Sequence, residues 1–158
     1  MPLTPDDLVA IAEIEQLKYR YFRLLDLKRF DELGQLLTDD ATAAYEDGKR
    51  SFTGRAAIVA FLADSLTDPG MISQHHGHHP EITLTSPTTA TGVWYLFDRV
   101  VIPRFDLEIG GTAFYDDRYV KTDEGWRISH TGYHRVFEER RSHRDLSVRS
   151  FTSRFDPP

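Results

Sequence analysis

The sequence predicts an α+β fold, because helix-forming segments occupy the first part of the chain and strand-forming segments the second. Before Met71, apolar residues recur every three or four positions, which is typical of amphipathic helices. After Met71, runs of aromatic and β-branched residues are separated by short turn sequences, which is typical of antiparallel strands. The 158 residues contain no internal repeat or linker sequence, so we expect one domain.

Three helices are predicted, over residues 6–27, 30–37 and 53–62. Thr4 is a candidate N-cap for the first helix, and Pro5 stands at its first helical position. A short strand over residues 41–45 and a turn over residues 46–48 separate the second helix from the third. The first helix is the longest, and Tyr21 lies near the centre of its apolar stripe.

Five further strands are predicted, over residues 73–79, 81–85, 88–101, 110–122 and 126–138. The sequences at 86–87 and 123–125 suit tight antiparallel connections. We therefore expect a domain over residues 1–139 and a C-terminal tail over residues 140–158. The tail mixes Arg, Ser and His with isolated apolar residues, which favours solvated irregular structure. The alternative is an arm that covers a neighbouring subunit or the mouth of a pocket.

The composition argues against several classes of function. A net charge of -6 and a pI near 5.6 do not suit a surface that binds nucleic acid or an anionic membrane. Because the chain has no cysteine, it has no thiol nucleophile, disulfide framework or thiolate metal site. We expect a cytoplasmic protein, because residues 2–7 lack the features of a signal peptide and no apolar run reaches membrane-spanning length.

Asp98 lies within a strand-forming run over residues 94–101. Side chains alternate between the two faces of a strand, so Asp98 shares a face with Trp94 and Leu96. A carboxylate in an apolar row is costly unless it is paired, hydrogen-bonded or used for chemistry. Asp98 is therefore a candidate pocket acid, and the alternative is an aspartate turned to solvent at a bulge.

Four of the seven histidines lie within residues 75–79. In an extended strand, His75 and His79 face one way, and His76 and His78 face the other. Histidine is the natural proton acceptor near neutral pH, so His75 in an apolar cavity is a candidate general base. The alternatives are solvated or core imidazoles and, because two of the four form a His-x-His pair, a metal site.

Two tyrosines and one aspartate before residue 50 are further candidates. Tyr21 buries its ring in the apolar stripe of the first helix, so its hydroxyl needs a partner in the core or in a pocket. Tyr45 ends a strand of small residues that leaves room for a cavity beside it. Asp26 lies roughly 140° from Tyr21 around the helix, so helical periodicity alone places Asp26 on the surface.

Arg135 is the candidate cation of the last predicted strand. Strand alternation places it on one face with Tyr133 and Phe137. In a pocket its guanidinium supplies a fixed positive charge to a substrate or a carboxylate. The alternative is a surface arginine beside Glu138 or Glu139.

Over residues 14–139 the chain resembles the SnoaL-like branch of the nuclear-transport-factor-2-like superfamily. The segments that carry the resemblance are residues 17–26, 77–82, 88–92, 94–99, 110–115 and 131–135. The match in the middle and C-terminal strands is specific, whereas that in the first helix is shared by much of the superfamily. The motifs are most similar to those of lyases such as bacterial bile-acid 7α-dehydratase and scytalone dehydratase.

The resemblance implies a cone, in which about three helices pack on a strongly curved, mainly antiparallel mixed sheet and enclose a deep pocket. Because the end of the first helix lies beside the pocket in such a cone, the resemblance gives Asp26 a place in the site. By the family pattern, the resemblance implies four catalytic residues, namely Tyr21, Asp26, His75 and Asp98. It also implies two substrate-binding residues, Tyr45 and Arg135. The chain departs from the dehydratase pattern around His76, at Phe97 and in the tail, so no single substrate is implied.

The residues and the resemblance together lead us to expect a lyase or isomerase that needs no cofactor and no metal. Its substrate would be a hydrophobic cyclic small molecule, such as a steroid or polyketide. His75 would remove a proton while Asp26 holds its imidazole, and Asp98 would carry a second proton or assist the departure of hydroxide. The alternative is a non-catalytic binding protein of the same fold. We expect no nucleic-acid or membrane partner, and a homo-oligomer, with a trimer favoured over a dimer.

Overall fold

The computed structural model describes residues 2–147, 149–150 and 153–155, and it has the predicted α+β architecture. The helices are α1 (Pro5–Asp26), α2 (Phe30–Gly34) and α3 (Arg55–Leu66). The strands are β1 (Leu37–Tyr45), β2 (Arg50–Thr53), β3 (Ile72–Ser86), β4 (Thr89–Ile102), β5 (Leu107–Thr122) and β6 (Gly125–Ser142). Among the described residues, none of the helices is both long and apolar enough to cross a membrane.

The strands form one mixed sheet in the order β2-β1-β6-β5-β4-β3. Neighbouring strands are antiparallel except β1 and β6, which are parallel. The four long strands β3 to β6 form a meander of 14 to 18 residues each, and irregularities interrupt their register at four places. The helices cover the inner face of this open sheet, so the molecule is the cone that the resemblance implies.

The first helix is fixed at both ends by local chemistry. Thr4 and Asp7 form a reciprocal capping box at its start. It ends at Asp26, since Lys28 adopts a left-handed conformation with φ of 58°. Apolar residues such as Leu17 and Leu25 face the sheet and are almost fully buried. Each buried side chain of this size contributes about 1.5–3 kcal/mol to stability.

Gly77 lets β3 pass close to α1, and this contact sets how near the helix end comes to the sheet. A Cβ at Gly77 would lie 2.6 Å from Cζ of Phe22, whose ring packs edge-on against Trp94 and Tyr115 and has little room to move. We expect Gly77→Ala to lower the free energy of unfolding by about 1–3 kcal/mol, measured by urea denaturation. Gly110→Ala is the control, because a Cβ there meets only ordinary contacts at 3.4 Å or more. Equal stability of the two variants would contradict the close approach.

The structure corrects the prediction of two strands over residues 73–79 and 81–85, because β3 is continuous across Pro80. β3 lies at the edge of the sheet, where the missing N–H of a proline is tolerated. The register shifts between His78 and Glu81, and His79 has φ of 48°. His79 is therefore exposed and does not share the face of His75, contrary to the simple alternation.

Several further boundaries differ from the predictions, among them the end of the second helix and the end of the last strand. The second helix ends at Gly34 rather than at Leu37, because residues 37–40 begin β1 and Leu37 pairs with Ile128 of β6. At the other end, β6 continues to Ser142, so the first three residues of the predicted tail are strand. Sheet pairing overrides the local pattern in both cases.

The described part of the tail contacts the segment that connects α3 to β3. The carbonyl of Phe155 accepts a hydrogen bond from the N–H of Gly70 at 3.0 Å. The ammonium of Lys28 lies 4.0 Å from the centre of the Phe155 ring. Residues 148, 151–152 and 156–158 of the predicted tail lie outside the described residues. The two alternatives for the tail remain predictions.

Candidate active site

A pocket of about 380 Å³ lies between the inner face of the sheet and the helices α1 and α3. This volume is within the range of small-molecule sites. Its apolar wall comes from both layers and includes Leu25, Phe61, Leu62, Met71, Leu96, Val100 and Ile109. Its polar groups include Tyr21, Tyr45, His75, Asp98, Tyr115, Tyr133, Arg135 and, near the mouth, Glu46, Arg50, Glu138 and Arg140. Five of the six predicted site residues therefore line one cavity.

A larger groove of about 710 Å³ lies on the surface, between α1 and the turn that joins β5 to β6. Its walls include Glu13, Arg20 and Glu124, and they include none of the predicted site residues. Size alone would favour this groove, but it lacks a converging set of acid–base groups. The smaller pocket is therefore the candidate active site.

The sixth predicted residue, Asp26, lies behind His75. Nδ1 of His75 is 2.6 Å from one carboxylate oxygen of Asp26, and the backbone N–H of His75 donates to the other oxygen at 2.9 Å. Because a carboxylate only accepts hydrogen bonds, Nδ1 carries the proton of the neutral imidazole. This leaves Nε2 with a lone pair for a molecule in the pocket. The imidazole is 11% exposed, so it belongs to the cavity wall rather than to the outer surface.

Helical periodicity alone was wrong to place Asp26 on the surface, and the reason is where the helix ends. Asp26 is the last residue of α1, and the chain turns away at Leu27 and Lys28. The carboxylate consequently reaches β3, and its side chain is only 24% exposed. The position implied by the family resemblance is the one that the structure has.

Ser73 is a third partner of this pair that the sequence analysis missed. Its hydroxyl donates to Asp26 at 2.9 Å, to the same oxygen that accepts from the His75 ring. Ser73 and His75 are two residues apart in β3, so strand alternation was the signal that places them on one face. Three donors hold the Asp26 carboxylate in one orientation.

The tyrosines occupy the inner end of the pocket. The hydroxyl oxygens of Tyr21 and Tyr45 are 3.4 Å apart, and both side chains are buried. Burial raises the pKa of Tyr21, Tyr45 and Tyr115 well above that of an exposed tyrosine. These phenols consequently stay protonated near neutral pH and serve as hydrogen-bond donors rather than as bases. Tyr115 and Tyr133 were not predicted as site residues, although both line the cavity.

Asp98 and Arg135 form a bidentate ion pair across the sheet. The two guanidinium nitrogens donate to the two carboxylate oxygens at 2.6 and 2.7 Å, and the side chains are 6% and 19% exposed. Burial alone lowers the pKa of Arg135, but the hydrogen bonds and charge of Asp98 outweigh it and raise that pKa above its ordinary value. Asp98 faces inward as strand alternation predicts, and the β4–β5 ladder around it has no bulge.

Of the two residues predicted to share a face of the strand with Arg135, only Tyr133 does so. Tyr133 lines the pocket beside it, but Phe137 is 48% exposed on the outer face of the sheet. A register shift lies between the β5–β6 pairs of Arg135 and Phe137, and it reverses the alternation. Glu138 then turns back inward, with a carboxylate oxygen 3.6 Å from Nε of Arg135.

The other histidines of the cluster lie outside this cavity. His76 and His78 are exposed, with ring centres 5.9 Å apart. Within the described ranges, no group of three or more His, Asp or Glu side chains is placed to hold a metal ion.

Comparisons with known proteins agree with this architecture. A candidate scytalone dehydratase from Novosphingobium aromaticivorans superposes with a TM-score of 0.80 and 23% identity, covering 87% of this chain and 91% of that chain. The Kfla4162 protein from Kribbella flavida has a TM-score of 0.76 and 26% identity, covering 83% and 93% of the two chains. The type 2 hexachlorocyclohexane dehydrochlorinase LinA has a TM-score of 0.78 and 18% identity, covering 86% and 91%.

These structural likenesses show the shared fold. The family itself is shown by a sequence match, because residues 6–132 match the model of the SnoaL-like domain. The matched segment contains five of the six candidate site residues and ends before Arg135. This protein belongs to the SnoaL-like family.

Proposed function

We propose that this protein is a lyase that eliminates water, or a comparable leaving group, from a hydrophobic cyclic small molecule. The observation that carries the proposal is the Asp26–His75 pair in the wall of an apolar pocket. In the reaction, a C–H bond beside a carbonyl breaks, its electron pair forms a carbon–carbon double bond, and a C–O bond on the next carbon breaks. The names of two structural neighbours, a candidate dehydratase and a dehydrochlorinase, also describe eliminations.

The proposed base is Nε2 of His75. Asp26 fixes the tautomer that leaves this nitrogen unprotonated, and it stabilises the imidazolium that forms when the nitrogen accepts the substrate proton. A positioned base of this kind contributes about 10²–10⁴-fold to a rate. The same imidazolium can then return the proton to the departing hydroxide, which leaves as water.

The proposed electrophilic groups are phenols and a guanidinium. Tyr21 and Tyr45 would donate hydrogen bonds to the negative charge that develops on the substrate carbonyl oxygen. Both oxygens of Asp98 already accept from Arg135, so Asp98 is less suited to carry a second proton than the sequence suggested. We propose instead that Asp98 holds Arg135 in place, and that the pair presents a fixed dipole to the substrate.

The proposed reaction is tested by incubating the protein with a panel of cyclic β-hydroxy ketones. We expect at least one to lose water, which absorbance of the conjugated enone and a mass decrease equal to one water would show. Binding of several panel members with no turnover of any would contradict the lyase proposal. That result would favour the alternative, a SnoaL-like protein that binds a small molecule without transforming it.

We also propose a homo-oligomer, with a trimer favoured over a dimer. The outer face of the sheet supports self-association. Four aromatic side chains there, the outer aromatic patch, are 38% to 48% exposed, namely Tyr95, Phe97, Phe114 and Phe137. Exposed apolar patches of this kind mark protein interfaces. His76 and His78 of β3 pair with Phe97 and Tyr95, so they lie beside the patch.

We expect Phe97→Glu to reduce the assembly to a monomer, because it buries a carboxylate in an apolar contact. Light scattering coupled to size exclusion measures the mass. Phe105→Glu is the matched control, since Phe105 is 61% exposed but lies outside the sheet. A wild-type protein that is monomeric at high micromolar concentration would contradict the proposal.

A further inference from the structure

Lys18 is a fully buried cation that the proposed mechanism does not use. Its ammonium lies 2.8 Å from a carboxylate oxygen of Asp117 and donates to the Thr131 hydroxyl at 3.4 Å. The same oxygen of Asp117 accepts from the Tyr119 hydroxyl at 2.7 Å, and Tyr119 accepts from the indole N–H of Trp94 at 2.9 Å. The network joins α1 to three strands in the core beneath the pocket.

The ammonium also lies against the rings of two pocket tyrosines. Nζ of Lys18 is 3.8 Å from the ring centre of Tyr115 and 4.4 Å from that of Tyr21. Both rings line the cavity, so a positive charge lies one ring away from any molecule that contacts them. Within the pair, the ammonium contacts these rings, whereas the carboxylate of Asp117 is turned to the Tyr119 hydroxyl.

A cation on a tyrosine ring withdraws electron density from it and strengthens its hydroxyl as a hydrogen-bond donor. A buried charge also acts over several ångströms, because the protein interior screens it weakly. Both effects of the ammonium favour negative charge in the pocket over neutral ligands. The charge of Asp117 opposes them in part, since after burial it is among the causes that raise the pKa of Tyr21 and Tyr115. Replacing a buried ion pair by apolar residues often leaves the stability of a protein unchanged or increases it. Stability alone therefore does not explain why Lys18 and Asp117 are buried together.

We propose that Lys18 is a positioning residue of the candidate active site, which polarises Tyr21 and Tyr115 from behind so that the pocket prefers an oxyanion. This deepens the proposed elimination and rests on it, since the developing enolate is the oxyanion concerned. Lys18 does not touch the substrate. Its effect passes through the two phenols.

The test compares two aromatic probes of similar size, 2-naphthol and naphthalene. Naphthol and naphtholate fluoresce at different wavelengths, so a pH titration of the bound probe reports how strongly the pocket favours the anion. In Lys18→Met we expect the affinity for naphtholate to fall about tenfold, with the bound probe ionising about one pH unit higher. We expect the affinity for naphthalene to change less than twofold. Lys121→Met, which removes a surface ammonium, is the control and should behave as wild type.

Removal of Lys18 alone leaves Asp117 as an unpaired buried carboxylate, which can unfold the protein. The double variant Lys18→Met/Asp117→Asn removes both charges and keeps an acceptor for Tyr119. We expect it to fold, as judged by circular dichroism, and to lose affinity for naphtholate but not for naphthalene. The loss should be smaller than in Lys18→Met, because the opposing charge of Asp117 is removed as well.

A purely structural role predicts that both probes weaken together in the folded double variant, and this result would overturn the inference. A wild-type pocket that shows no preference for naphtholate would overturn it as well. Because probe binding needs no turnover, the two proposals fail separately. A selective loss of naphtholate in a protein that dehydrates no panel member contradicts the lyase and supports the role of Lys18.

Discussion

His75→Ala is expected to lower the rate of elimination by about 10²–10⁴-fold, because it removes the base that takes the substrate proton. The substitution is made at a cavity wall and leaves the Ser73–Asp26 hydrogen bond available, so the fold should survive. The rate is measured as enone formation from the panel compound that the wild type turns over fastest. Binding of the same compound should change much less than the rate.

Asp26→Asn separates the role of the carboxylate from that of the imidazole. An asparagine amide can donate to Nδ1, which leaves the imidazole proton on Nε2 and blocks proton abstraction. We expect a loss similar to that of His75→Ala and little further loss when the two substitutions are combined, because both disable one unit. Ser73→Ala is the graded comparison, with an expected loss of about tenfold, since it removes one of three donors to Asp26. Full activity in both His75→Ala and Asp26→Asn would refute the dyad.

The second large effect concerns stability. Arg135→Met is expected to lower the free energy of unfolding by about 3–5 kcal/mol, because it leaves the buried Asp98 carboxylate without its partner. Asp98→Ala should cost less, because Arg135 keeps Glu138 at 3.6 Å. The double variant Asp98→Ala/Arg135→Met removes both charges and should recover the part of the loss that comes from the unpaired charge. Urea denaturation of the four proteins gives the coupling energy as a double-mutant cycle.

An exposed pair provides the control for that cycle. Arg141 and Glu139 are 2.7 Å apart with side chains 45% and 55% exposed, so Arg141→Met should cost less than about 1 kcal/mol. If the losses from Asp98→Ala and Arg135→Met simply add in the double variant, the pair is not the coupled unit that its geometry indicates.

Much of the fold could be predicted because its signals are local. The capping box at Thr4 and the alternation around Asp98 depend on residues close in sequence, and the structure has both. The misplaced features depend on long-range pairing. Pro80 is tolerated only because β3 is an edge strand, and Leu37 is a strand residue only because β6 lies beside it. Neither the edge position of β3 nor the pairing of β1 with β6 can be deduced from a window of ten residues.

In the candidate active site, too, the features that could not be predicted depend on long-range contacts. Periodicity could not place Asp26 in the pocket, because its orientation depends on where α1 ends relative to β3. A bulge in β6, three strands from His75, decides that Arg135 faces inward while Phe137 faces outward. The sequence did carry one unused signal, since Lys18 lies three residues before Tyr21 and within the apolar stripe of the helix.

In the proposed reaction, His75, held by Asp26, removes a proton from a carbon beside a carbonyl. Deuterium incorporation tests it without requiring a leaving group. Wild-type protein in heavy water should exchange the α-protons of a bound cyclic ketone, as measured by proton NMR, and His75→Ala should reduce that exchange to the rate without protein. Exchange that proceeds equally fast in His75→Ala would contradict the claim.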